Sequence, residues 1–254
     1  MVTELAAPGK SAVSSRPEPA AERRFYSGYA LAILVTVLIG FAQTYYLRPI
    51  LPAPARELRP ITPLIHLHGL LFTGWLLLLV AQTRLIATRR VDLHRRLGVA
   101  GGLVAAAMLA VGTLTALEAA ARGGAPLGLD PLRFMVVPLA AVALFALLVT
   151  AALLARRDPQ SHKRLIVLAN VALLPPALAR WIIFHFGLGP PVVFAFASLF
   201  LVPLVVWDLT RWKRLHPVTL WGGLLVLLSG PGRFLLGQTD AWLRFADWAV
   251  GFVR

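Results

Sequence analysis

The residues of this 254-residue chain best placed to do chemistry are polar side chains set inside long apolar runs. Such groups are costly in hydrocarbon, and where they occur they line cavities or face partners. Gln43, Tyr45, Tyr46, His66, His68, Glu118, Arg180, His185 and Arg233 fall within about 10 Å of one end of their apolar segments, counted at the helical rise per residue. His68, Trp75 and Gln82 recur every seventh residue, as do Tyr29, Thr36 and Gln43, so each trio shares one helix face. His66 and His68 stand about 200° apart around a helix, and only His68 lies on the Trp75 face. His68 and His185, on different helices in one layer, are the pair that could hold a haem iron or a metal ion between neutral imidazoles. Arg180 and Arg233 could neutralise propionates, a quinone oxygen or another anion, with Gln43 and Glu118 orienting the set. Interhelical hydrogen bonds with no ligand at all would produce the same stripes.

The opposite layer holds His94, His162 and His216. His94 and His162 sit in similar surroundings: Arg89-Arg90-Val91-Asp92-Leu93-His94-Arg95-Arg96-Leu97 resembles Arg156-Arg157-Asp158-Pro159-Gln160-Ser161-His162-Lys163-Arg164-Leu165. The repeat serves equally as basic anchoring, with an aspartate at a helix N-terminus offsetting local repulsion. Several chemistries are excluded. With no cysteine, there are no disulfides, thiolate metal sites or cysteine nucleophiles. No Asp or Glu lies near a segment centre, which argues against proton-coupled transport. The only lysines are Lys10, Lys163 and Lys213, so no retinal Schiff base can form in the last span.

The elements that must position these residues follow from composition. Hydrophobic residues make up 58% of the chain and charged residues 14%. Soluble domains run nearer about 45–50% and about 25%. Seven apolar segments, 25–47, 62–87, 97–120, 132–155, 161–186, 190–210 and 217–236, are each long enough to cross a hydrocarbon core of about 30 Å. The fold class is therefore an all-α bundle of seven transmembrane helices. Residues 1–24 read as a disordered tail, and 237–254 as a short amphipathic helix lying in the interface. Thr62-Pro63 and Ser161 read as helix starts, Gly187 as a helix end, and Pro175-Pro176 and Gly230-Pro231-Gly232 as breaks or bends. Gly40 allows close approach, and Gly98, Gly102, Ala106 and Ala110 form a small-residue face for packing.

The formal charge of +14 comes from 25 Lys and Arg against 11 Asp and Glu. Sixteen of the basic residues lie in the tail or in the second–third, fourth–fifth and sixth–seventh connections. That bias sets the N-terminus and these loops in the cytoplasm, and it reports orientation rather than a nucleic-acid partner.

The run HLHGLLFTGWLLLLVAQTRLIATRRVDLHRRLGVAG, with DPQSHKRLIVLA and HPVTLWGG, resembles a family of bacterial multi-pass membrane proteins over residues 25–254. The resemblance implies a bacterial inner-membrane location and carries no particular activity. A weaker likeness is to cytochrome b561-type membrane proteins, through helical histidines layered on both sides; those have six spans and a regular four-histidine arrangement. Three readings stand open. One is a membrane-embedded protein whose outer-leaflet pocket binds haem b, a metal or a quinone-like cofactor and passes electrons. A second is a non-catalytic accessory subunit docking other membrane-protein subunits. The third is a small-molecule transporter using the proline kinks.

Overall fold

The computed structural model describes residues 19–52 and 60–253. Among them, seven helical stretches are long and apolar enough to cross a membrane: Pro19–Tyr46, Pro63–Ala87, Val91–Ala121, Pro131–Leu154, Pro159–Phe186, Pro190–Trp212 and Val218–Gly237. The all-α, seven-span bundle read from composition is the fold. The first helix starts at Pro19 rather than at residue 25, so Glu22, Arg23 and Arg24 belong to its opening turns. Residues 1–18 of the expected tail lie outside the described residues.

Prolines and short polar caps set most of the helix starts. Thr62 Oγ1 accepts the Ile65 amide at 3.4 Å ahead of α2 (Pro63–Ala87). At α6 (Pro159–Ala172) the cap is Asp158, not the expected Ser161. Proline fits the first helical position, which needs no N–H, so the helix begins before Ser161 is reached. Asp158 Oδ1 accepts the Gln160 amide at 3.0 Å, and Ser161 donates its hydroxyl to the other carboxylate oxygen. That hydroxyl holds the Asp158 carboxyl below its ordinary range.

The fifth span is the axle of the bundle: 61% of its apolar window is buried, against 17–44% for the other six. It is two helices, α6 and α7 (Pro175–Phe186), separated by a non-helical step at Leu173 and Leu174. Pro175 and Pro176 have no amide hydrogens to offer the preceding carbonyls, so the break falls where the sequence reads it. α7 ends at Gly187, whose φ of +65° is the left-handed conformation of a helix C-terminus. Around this axle pack α1 (Pro19–Phe41), α5 (Val136–Leu154) behind the single turn α4 (Pro131–Phe134), α8 (Pro190–Ser198) and α10 (Gly223–Gly237). α2 leans on α1, and α3 (Val91–Ala121) fits between α2 and α5. α9 (Val202–Trp207) continues the sixth span.

Small residues bring helices close, but not where expected on α3. The buried seam is Gly101, Ala105, Gly112, Ala116 and Ala120, while Ala106 and Ala110 are exposed on the bundle surface. Ala106 stands about 100° and Ala110 about 140° around the helix from the buried Ala105, so the expected face turns out of the contact. Gly40 does serve the first span: a Cβ there would lie 2.5 Å from the Ala177 carbonyl oxygen. The seventh span does not break at Pro231; α10 runs through it. α11 (Asp240–Val250) starts at a Thr239 cap and packs Ala246, Ala249 and Val250 against Ala120 and Met135, leaving Phe245, Trp248 and Phe252 outward.

Candidate functional site

At the end of the bundle opposite most of the basic loops, the first span widens into a π turn, Ala42–Tyr46. Each of its last four residues makes a contact to another span or bends toward one. Gln43 Oε1 lies 3.1 Å from His185 Nε2 on α7. Thr44 Oγ1 accepts from Arg180 Nε at 3.0 Å. Tyr45 lies 3.4 Å from His66 Nδ1, its ring so close to α2 that a Cβ on Gly69 would fall 2.6 Å from it. The Tyr46 hydroxyl is 2.7 Å from Thr73 Oγ1. The Arg180 guanidinium sits 3.8 Å from the Phe41 ring centroid and donates Nη1 to the Pro176 carbonyl at 2.7 Å. Among the described residues no carboxylate pairs with it, and its Nη2 has no protein acceptor.

His68 projects from α2 stacked on Phe72, at 4.0 Å between centroids with the rings 19° from parallel, and a Cβ on Gly112 of α3 would lie 3.4 Å from that Phe72 ring. The His68 Nδ1 is buried and has no hydrogen-bond partner, an orphan that costs free energy unless something fills it. His66, two residues back, stays exposed at the rim beside Tyr45. Of the six expected residues, Gln43, Arg180 and His185 thus gather between the end of the first span and α7, while His68 stands on α2 and shares no hydrogen bond or ring contact with them among the described residues. The other two sit elsewhere. Glu118 is engaged by Arg122 one turn along α3. Arg233 lines a separate cavity on α10 and shares no partner with Arg180.

Midway along the bundle, Trp75 Nε1 donates to Asn170 Oδ1 at 2.9 Å, and Asn170 Nδ2 donates to the Ile166 carbonyl at 2.8 Å. This satisfied pair joins the second span to the fifth. The His68–Trp75–Gln82 face therefore points inward along its whole length, with Gln82 reaching the His94 carbonyl at 3.2 Å.

The basic end holds a network that the sequence reading did not assemble. Arg164 is 0% exposed and pairs with the equally buried Asp208. Its Nε donates to Thr219 Oγ1 at 3.2 Å and its Nη1 to Gln160 Oε1 at 2.6 Å, while Asp208 Oδ2 accepts the His216 amide at 3.0 Å. Glu22 joins from the first span, pairing with Lys163 and accepting from Gln160 Nε2 at 3.2 Å. His216, in the connection before the seventh span, is pushed below its ordinary value chiefly by burial, and next by Arg164. The signal available in the sequence was Asp208, an acid closing an otherwise apolar run. Glu22 was hidden by being counted into the tail. His94 and His162 do meet, their ring centroids 6.4 Å apart and nearly perpendicular, with His162 Nδ1 held 2.8 Å from the Ala152 carbonyl.

Among the described residues no group of three or more His, Asp or Glu is arranged to hold a metal ion. Comparison of the chain with protein-family models, with curated proteins and with solved structures finds no match.

Proposed function

We propose that this chain is a membrane-embedded binding protein that takes a quinone-like ligand between α1, α2 and α7, in the outer leaflet when the basic loops face the cytoplasm. The observation that carries this reading is the unpartnered pair of donors, the orphaned imidazole of His68 stacked on Phe72 and the free Nη2 of Arg180, whose guanidinium lies over Phe41. A quinone head group offers a flat ring for the aromatic residues and carbonyl oxygens for the two donors. A bis-histidine haem or a metal fits less well, because His185 already spends its Nε2 on Gln43. Electron transfer to a membrane partner is the use such a ligand would serve.

Solvent extraction of protein purified in lipid nanodiscs tests this. A quinone should co-extract near one equivalent from the native chain and fall at least tenfold in His68→Ala and Arg180→Gln. Equal recovery from all three overturns the proposal, and a Soret band in the native protein replaces it with the haem reading. The accessory-subunit reading keeps one specific support, the outward aromatic strip of α11. Copurification of another membrane subunit in gentle detergent, lost in Trp248→Ser, would favour it.

A further inference from the structure

The seventh span carries a charge that no ion pair balances among the described residues. Arg233, in the last turns of α10, is only 3% exposed. Its Nη2 donates to Ser229 Oγ at 3.2 Å, its Nη1 reaches the Val137 carbonyl at the long distance of 3.5 Å, and the Phe194 ring centroid lies 5.3 Å from the guanidinium carbon. All of these partners are neutral. Its Nε is buried with no partner at all. Arginine cannot shed its proton to escape burial, as a buried lysine can, so the charge persists. Glu22, Glu118 and Asp208 are each committed to a different cation.

Arg233 also lines a small, partly open cavity among the fifth, sixth and seventh spans, with Ser198, Ser229, Pro175, Ala172 and Phe194 among its walls. Its volume is about 10 Å³. That is room for a single atom or water molecule. The interior of the cavity has no room for all the heavy atoms of a phosphate or a carboxylate. We infer that this cavity is a binding site for one monatomic anion, a halide such as chloride, held by Arg233 and the hydroxyls of Ser229 and Ser198. Both serines now donate to their own helix, Ser229 to the Val226 carbonyl and Ser198 to the Phe194 carbonyl, each at a distance of 2.7–2.8 Å. A turn about one side-chain bond redirects either hydroxyl toward the ion. A water in the cavity would satisfy Nε but would leave the charge uncompensated in a low-dielectric interior. The anion would tie α8 to α10 behind the break in the fifth span, since Pro175 forms one wall.

The site is independent of the quinone reading, and its test does not touch α1, α2 or α7. Native protein in detergent is exchanged into sodium gluconate, whose anion cannot enter, and titrated with chloride or bromide at constant ionic strength. Its thermal midpoint should rise saturably by several degrees with either halide. In Arg233→Gln the response should vanish, and in Ser229→Ala half-saturation should move to at least threefold higher halide. Should Arg233→Gln fail to fold, anomalous diffraction from native crystals grown in bromide gives the second reading, with a peak expected beside Arg233 Nε. A midpoint indifferent to halide, an unchanged response in Arg233→Gln, or bromide crystals with no peak at Arg233 overturns the inference. So does protection that requires an anionic phospholipid instead.

Discussion

Two buried arginines show how a charge can be kept in a membrane-spanning fold. Arg164 has a full complement of partners, and removing one should be severe: Asp208→Asn leaves a buried cation, and such losses run to about 3–5 kcal/mol. Unfolding in mixed micelles should show that loss, with the double change Arg164→Met, Asp208→Leu recovering much of it; equal instability of both variants would count against the pairing. Trp75→Phe is the mild counterpart. It removes one interhelical bond to Asn170, and bonds of this kind average about 0.6 kcal/mol in membranes, so the same assay should register well under 2 kcal/mol. His216 adds a pH dependence whose sign is fixed. Its folded-state value lies below the ordinary histidine range, so the unfolded chain binds the proton more readily. Its contribution is complete above the unfolded value near about 6.5 and is lost as the pH falls through the lower folded value. The geometry agrees, because its Nδ1 accepts the Val218 amide at 3.2 Å and cannot do so once protonated. Stability measured from pH 7.5 down to 5 should decline, and His216→Asn should flatten that limb.

At the scale of elements, the seam on α3 separates two substitutions that look alike in sequence. Ala105→Leu pushes into the packed face and should cost about 1–3 kcal/mol, whereas Ala106→Leu faces outward and should be close to neutral. If both behave alike in the same unfolding assay, the seam is wrong. This is also where legibility in the sequence ends. Helix existence and number were readable because seven apolar runs of spanning length need no knowledge of neighbours. Asp158 displaced Ser161 as a cap because a local rule, proline at the first position, outranked a plausible side chain two residues later. The seam and the Arg164–Asp208 pair were not readable: each depends on the rotation of one helix against another, and that rotation is set by packing with partners dozens of residues away. Three of the six candidate site residues, Gln43, Arg180 and His185, gather because the π turn and the α7 break aim them together, and neither feature leaves more than a proline or glycine as its trace.

For the molecule as a whole, the absence of cysteine gives a clean test of orientation. Single cysteines at Leu129, exposed in the third–fourth connection, and at Arg157, in the fourth–fifth, should react in intact cells with a membrane-impermeant maleimide at Leu129 alone. Labelling at Arg157 instead would invert the topology. The ionic knot at the basic end also bears on the order in which the chain is made. Arg164 leaves the ribosome before Asp208 exists, and Glu22 well before Lys163. While the fifth helix is being inserted, its arginine has no counter-charge and must wait at the lipid surface, so the axle of the bundle settles only after the sixth helix has been synthesised. A polypeptide that stops after Phe186 would carry that arginine unmatched into the bilayer, which makes the sixth helix the step that commits the nascent chain to its final arrangement.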